Sequence, residues 1–171
     1  GLCADVVATL EGIDREALDE LAYQSQQRTA RAIAEGRFDR ALIAVHHEDG
    51  SLALDHEEYP RPQTTREGLA ALAPSFADAA NTAFDDDGTT FGDLILQVYP
   101  DLDIKHVHHA GNSSGVVDGA GGLLLASPDY ARAHGLVPRA RVVAMAEMGD
   151  SPTLMLNAPV PATRKVLKKA G

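Results

Sequence analysis

Between Asp14 and Gly36, apolar and small residues recur at Leu18, Leu21, Ala22, Ser25, Thr29, Ala32 and Ile33. That is the spacing of one helix face, and it predicts a helix over 14–36. Asp14 stands where a cap is needed, Ile13 and Leu18 can staple the entry, and Gly36 ends the run. The opposite face, with Gln24, Gln27, Arg28, Arg31 and Glu35, reads as solvated surface. A short strand is expected from Ala41 to His46. The acidic stretch 48–58 and the proline-punctuated 59–62 then form an exposed loop. Thr64-Thr65-Arg66-Glu67 has the form of a capping box before a helix over 68–73, which Pro74 closes. Phe91 to Val98 reads as a short helix ending before Pro100.

The second half alternates differently. Gly121 to Ala126 reads as a buried strand. Ser127 and Pro128 open a helix that Gly135 stops, and Arg139 to Met148 alternates as a strand. A loop over 150–158 leads into a last helix from Pro161 to Lys169, whose terminal lysines suit the helix dipole. Strands alternating with helices predict an α/β fold.

Between these halves lies the densest chemistry, His106 to Gly122: three histidines, five glycines and several small polar side chains. Such a stretch presents backbone for close approach, and by pattern alone it is a tight turn feeding a buried strand. It fits neither GxGxxG nor GxxxxGK[ST], so it is not a phosphate loop of those kinds. Strand alternation would place His106 and His108 on one face as a possible ligand pair. No third ligand follows at suitable spacing, and no metal is expected. Asp85-Asp86-Asp87-Gly88 lacks EF-hand spacing and its closing Glu, and reads as a solvated turn.

Charge narrows the partners. With 15 Lys+Arg against 25 Asp+Glu the net charge is −10, which opposes binding to nucleic acid or an anionic membrane. At 171 residues and 44% hydrophobic, the chain can build a core. No apolar run reaches the roughly 20 residues of a spanning helix. Cys3, the single cysteine, cannot form an internal disulfide and agrees with a reducing, cytoplasmic setting. The chain starts at Gly1 and stops at Gly171 just after a basic turn, so a central piece of a longer protein is expected.

The run Ala110-Gly111-Asn112-Ser113-Ser114-Gly115, followed by Asp118-Gly119-Ala120, resembles the TAGNASGxxDGAAA signature of the thiolases, which make or cleave 3-ketoacyl-CoA. Downstream, Asp150-Ser151-Pro152-Thr153-Leu154-Met155 and Pro159-Val160-Pro161-Ala162-Thr163-Arg164-Lys165 resemble that family's DPxxM…GPxPAxxK stretch. Upstream, residues 1–45 and 61–76 resemble the segments that begin the family's loop domain, although Cys3-Ala4-Asp5 replaces TAE. The resemblance implies a partial thiolase-like α/β fold. Residues 1–105 would be a helical loop domain with an insertion at about 77–105. Residues 106–171 would hold the end of the N-terminal half and the start of the C-terminal half, with incomplete βαβ layers. An insertion beside the acyl pocket would influence substrate choice.

The resemblance also implies roles. Arg61 would lie near the adenine nucleotide end of coenzyme A and Leu69 along it. Gly111, Asn112 and Ser114 would wall the pantetheine channel, with Met155 opposite Ser114. Read from the residues alone, Arg61 is a surface arginine and Met155 a gap-filling side chain. Coenzyme A or acyl-CoA would be the substrate, with no covalently bound cofactor, and the parent a cytoplasmic homodimer or homotetramer. The Ser113-Ser114 loop and the histidine-rich lead-in look closer to degradative members, in fatty-acid or steroid β-oxidation, than to biosynthetic ones. Thiolase chemistry needs a cysteine nucleophile, a base and oxyanion donors. The family's nucleophile segment and its NEAFA, GHP and CxGGGxG motifs are absent here, so no catalytic residue is assigned and the chain alone is expected to be inactive. A non-catalytic CoA-binding or scaffold module of the same fold is the alternative.

Overall fold

Asp14 caps the long helix as its position predicts: its side chain accepts the Ala17 N–H at 2.8 Å. In the computed structural model, which describes all residues from Gly1 to Gly171, seven helices and one two-stranded sheet form two compact units, Gly1–Val116 and Val117–Gly171. No helix is long and apolar enough to cross a membrane. In the first unit the helices are α1 (Leu2–Leu10), α2 (Arg15–Ala34), α3 (Arg66–Ala70), α4 (Ala77–Ala80) and α5 (Phe91–Val98). The strands β1 (Val45–His46) and β2 (Leu52–Leu54) pair antiparallel.

The core of this unit is small, and two helices differ from their sequence reading. Helix α1 was not foreseen, yet it supplies Val6 and Ala8, both buried, and packs against α4. Helix α2 leaves Leu21 67% and Ile33 45% exposed, while the residue it buries is Asp19. Its apolar stripe is only partly covered, Leu18 and Ala22 being half-buried, and α2 also meets the segment around α3 through polar residues. Of the face expected to be solvated, Arg28, Arg31 and Glu35 are exposed, while Gln27 Nε2 donates to the Pro62 carbonyl at 3.1 Å beside Gln26, whose Oε1 accepts the Arg61 N–H at 2.8 Å. Arg66 closes the contact, donating to Glu20 from Nε and Nη2 at 2.6 and 3.0 Å with its guanidinium 3.9 Å from the Tyr23 ring centroid.

Local signals set the shorter elements. Thr65 caps α3 by accepting the Gly68 N–H at 3.0 Å. The helix thus starts two residues before Gly68 and ends at Ala70, and with Thr65 as cap its third helical position is Gly68, so Thr64 and Glu67 form no box. Reciprocal capping occurs at α5, where Thr90 and Asp93 exchange bonds. Ile95 of that helix is buried, so residues 77–105 carry ordered structure within the first unit. Asp85-Asp86-Asp87-Gly88 is a turn in which Asp85 accepts the Thr89 N–H at 2.8 Å and Gly88 takes a φ of +81°. The strand expected over 41–46 contracts to β1. Its partner β2 lies inside the stretch read as loop, because Asp49 and Gly50 build a tight turn that returns the chain.

In the second unit α6 (Pro128–Ala133) is capped by Ser127 and stopped by Gly135 at a φ of +63°, as read from sequence. Helix α7 (Pro159–Ala170) opens two residues earlier than Pro161. Its lysines tie down the preceding segment, Lys165 donating to the Glu147 carbonyl at 3.0 Å and Lys169 to that of Met145 at 2.9 Å. The strands expected over 121–126 and 139–148 do not form. Both segments run outside any ladder, and Leu123 is 94% exposed. A strand is completed by a hydrogen-bonded neighbour, which apolar character and alternation do not supply.

Candidate functional site

The glycine-rich loop is anchored from its histidines, each of which meets an acid. Asp5 of α1 is fully buried. It accepts His106 Nδ1 at 2.9 Å and His108 Nδ1 at 2.7 Å, together with the N–H groups of Val107 and His108 at 3.1 and 3.0 Å. Burial pushes its carboxyl up, but the His106 and His108 side chains and then the two backbone amides outweigh this and hold it below the ordinary value. The pair His106 and His108 thus shares a carboxylate, and no group of three or more His, Cys, Asp and Glu side chains is arranged to hold a metal ion.

One residue further on, buried His109 places Nε2 2.7 Å from Asp19 Oδ1. Asn112 Nδ2 donates to the same oxygen at 2.9 Å and to the Val107 carbonyl at 3.1 Å, while Asn112 Oδ1 accepts the His109 N–H at 2.8 Å. Burial raises the Asp19 carboxyl, and hydrogen bonds from His109, Arg15 and Asn112, with the charge of Arg15, more than reverse it. The acid is therefore ionised and fully used.

Tied down in this way, the loop forms one wall of a cleft of about 260 Å³. Gly111 and Ser113 lie on that wall, Leu69 and Leu72 face them, and Tyr59 and Arg61 stand at one edge. The walls approach so closely that a Cβ on Gly111 would sit 2.6 Å from Leu69 Cδ2 and 2.8 Å from Leu72 Cδ1. A side chain at Gly111 would have to displace these leucine side chains. At Gly115 the Tyr59 ring fills the space a side chain would need. Chemically the cleft offers an apolar floor, exposed backbone, and the Arg61 guanidinium, 5.7 Å from the Tyr59 ring centroid. Arg66 nearby is occupied by Glu20, whose carboxyl Arg66 and then Gln24 bring down to about 2.

Of the residues singled out in the sequence, Arg61, Leu69 and Gly111 come together in this cleft. Asn112 stands behind it as a brace. Ser114 is exposed, its Oγ reaching only the Gly115 carbonyl at 3.5 Å, and it is Ser113 that lines the cleft. Met155 belongs to the second unit, where it is exposed and takes a φ of +60°, unusual for a side chain of its size. Sequence reasoning missed Asp5, Arg15 and Asp19. A faint signal existed, since Arg15 and Asp19 are four apart on the helix, but their partners are remote in sequence.

Comparison with known proteins places the chain in a family. The model of the family "Thiolase, N-terminal domain" matches residues 1–91. The 3-ketoacyl-CoA thiolase of Pseudoalteromonas translucida (strain TAC 125) is 41% identical over 174 residues, covering 100% of this chain and 38% of that protein. Among solved structures, human mitochondrial 3-ketoacyl-CoA thiolase is similar with a TM-score of 0.72 and 33% identity, covering 99% of this chain and 36% of the human one. The structure of that human enzyme in complex with CoA gives a TM-score of 0.71 at 33% identity, with the same coverage. The chain thus spans well under half the length of the relatives it matches. Its architecture is a partial thiolase-like α/β fold, and the chain belongs to the thiolase family.

Proposed function

We propose that this chain is the part of a 3-ketoacyl-CoA thiolase that carries the coenzyme A-binding loop domain and the pantetheine-channel loop. The observation that carries the reading is the convergence of Arg61, Leu69 and Gly111 on one cleft, remote in sequence and singled out by resemblance. The guanidinium of Arg61 suits the phosphates of the adenine nucleotide end. Leu69 and Leu72 offer an apolar rail, and the loop 111–114 presents backbone to an amide-bearing arm. The likeness to a human thiolase structure determined with CoA supports the same assignment.

In this reading the chemistry is completed by segments of the parent protein beyond these residues. A cysteine thiolate attacks the 3-keto carbon of the acyl-CoA. The bond between C2 and C3 breaks, the acyl group stays on the enzyme as a thioester, and C2 is protonated to give acetyl-CoA. The thiol of a second coenzyme A then takes the acyl group and returns the cysteine. Condensation is the reverse. Cys3 lies in α1, half-buried, in a Gly-Leu-Cys-Ala-Asp setting unlike the family's nucleophile segment, and serves packing. The parent protein would act as a cytoplasmic homo-oligomer.

The test is thiolysis of 3-ketoacyl-CoA substrates, acetoacetyl-CoA included, by the intact parent protein and by the 171-residue chain. Turnover by the parent, together with CoA binding but no turnover by the chain, is the expected result. Turnover by the chain alone overturns the division of labour, and an inactive parent overturns the enzyme assignment in favour of a CoA-binding module.

A further inference from the structure

Both walls of the cleft are tied to one buried carboxylate. On the α3 side, Arg15 donates from Nε to Asp19 Oδ2 at 2.8 Å, and from Nη2 to the carbonyls of Leu69 and Leu72 at 2.7 and 2.9 Å. The guanidinium thereby adds a donor to the carbonyl of Leu69, near the end of α3, and to that of Leu72 just beyond it. On the loop side, His109 Nε2 reaches the other oxygen of Asp19 at 2.7 Å.

The imidazole does more than fill space. Its second nitrogen, Nδ1, lies 3.0 Å from the Gly111 nitrogen, whose N–H points at it. A carboxylate only accepts, so Nε2 carries a hydrogen, and an amide N–H only donates, so Nδ1 presents its lone pair. One protonation state meets both demands: neutral imidazole with the proton on Nε2. The opposite tautomer, and the imidazolium, would aim an N–H at the Gly111 N–H. The bond matters because Gly111 has no slack. A Cβ there would touch Leu69, Leu72 and, at 3.0 Å, His109 Cε1, so this is the point at which the two walls set the cleft's width.

We infer that His109 is a positioning residue of the cleft: its neutral Nε2–H tautomer, fixed by Asp19, holds the Gly111 backbone through Nδ1 and so sets the channel width that coenzyme A meets. The inference rests on the proposed reading of the cleft as a coenzyme A site. Asp19, Arg15 and Asn112 act on it through His109 or beside it, and none of the four needs to touch the ligand.

The experiment uses the 171-residue chain and three readouts: the ring ¹⁵N spectrum of His109, the exchange rate of the Gly111 amide, and calorimetric titration with coenzyme A. The informative variant is His109→Gln, which keeps a donor for Asp19 but offers no acceptor at the Nδ1 position. The expected ring spectrum at neutral pH is that of the Nε2–H tautomer. In His109→Gln the Gly111 amide should exchange faster, and the Kd for coenzyme A should rise by about three- to tenfold, the value of one hydrogen bond. An imidazolium or Nδ1–H spectrum overturns the inference even if the variant fails to fold. So does Gly111 exchange that is unchanged in the variant, or an unchanged Kd once that amide is released. A wild-type chain with the expected tautomer and a protected Gly111 amide but no affinity for coenzyme A refutes only the cleft's assignment to coenzyme A, leaving the placement of Gly111 by His109 standing.

Discussion

Asp5 and His108 are 103 residues apart in sequence, yet Asp5 Oδ1 lies 2.7 Å from His108 Nδ1. The same carboxylate also holds His106 and two backbone N–H groups, which pins the segment entering the glycine-rich loop onto α1. Removing it takes the acceptor from all four donors. Asp5→Ala is therefore expected to destabilise the chain by about 2–4 kcal/mol, the cost of breaking a buried charged network. Urea denaturation checks this, and a loss below about 0.5 kcal/mol, the scale of an ordinary surface substitution, would contradict it.

Acid should loosen the same anchor. Asp5 and Asp19 both titrate below their ordinary value of 3.8 in the folded chain. A carboxyl whose folded pKa is depressed stabilises the fold above its unfolded pKa and loses that contribution as pH falls through the folded one. Stability should thus be level in this respect at neutral pH and decline from about pH 4 downward. In Asp5→Asn and Asp19→Asn the decline should be shallower from a lower starting stability. Denaturation midpoints across that range read the slopes, and equal slopes in wild type and both variants would count against the assignment.

Helices were largely legible because their signals are local. Asp14 and Ser127 cap where their positions say, and Gly36 and Gly135 turn the chain with positive φ. The strands over 121–126 and 139–148 were not, since a strand is completed by a hydrogen-bonded neighbour and Leu123, Leu124 and Leu125 stay exposed without one. The site divides in the same way. Arg61, Leu69 and Gly111 were reached through motifs, whereas Asp5 and Asp19 act on partners about a hundred residues away, which no spacing rule reports. Asp19 ran against expectation, being the buried residue of α2 while Leu21 of the apolar stripe stays in water.

Arg61 is exposed, and its guanidinium rests only on the Tyr59 ring. Arg61→Ala should leave thermal stability within error and weaken coenzyme A binding by about three- to tenfold, the scale of a screened charge-assisted contact. The loss should shrink as salt is raised, because the contact is between exposed charges. Calorimetric titration at two ionic strengths measures both, and an unchanged affinity would remove Arg61 from the site.

Gly111 leaves little room for a side chain. Gly111→Ala puts a methyl within 2.6 Å of Leu69 Cδ2 and 2.8 Å of Leu72 Cδ1, so the leucine side chains, the loop or α3 must shift. The expected cost is about 1–3 kcal/mol of stability, as for an overpacked core, with loss of most coenzyme A affinity. Pairing it with Leu69→Ala, which removes the nearest of these contacts, should cost less than the sum of the two single changes. A Gly111→Ala chain as stable as wild type would contradict the close approach of the two walls.

Titrating the ¹⁵N-labelled chain with coenzyme A and following its amides tests whether the cleft between α3 and the glycine-rich loop receives coenzyme A. Saturable shifts centred on Arg61, Leu69, Gly111 and Ser113 are predicted. Amides there that stay unmoved at millimolar coenzyme A, or shifts confined to residues away from the cleft, would contradict it.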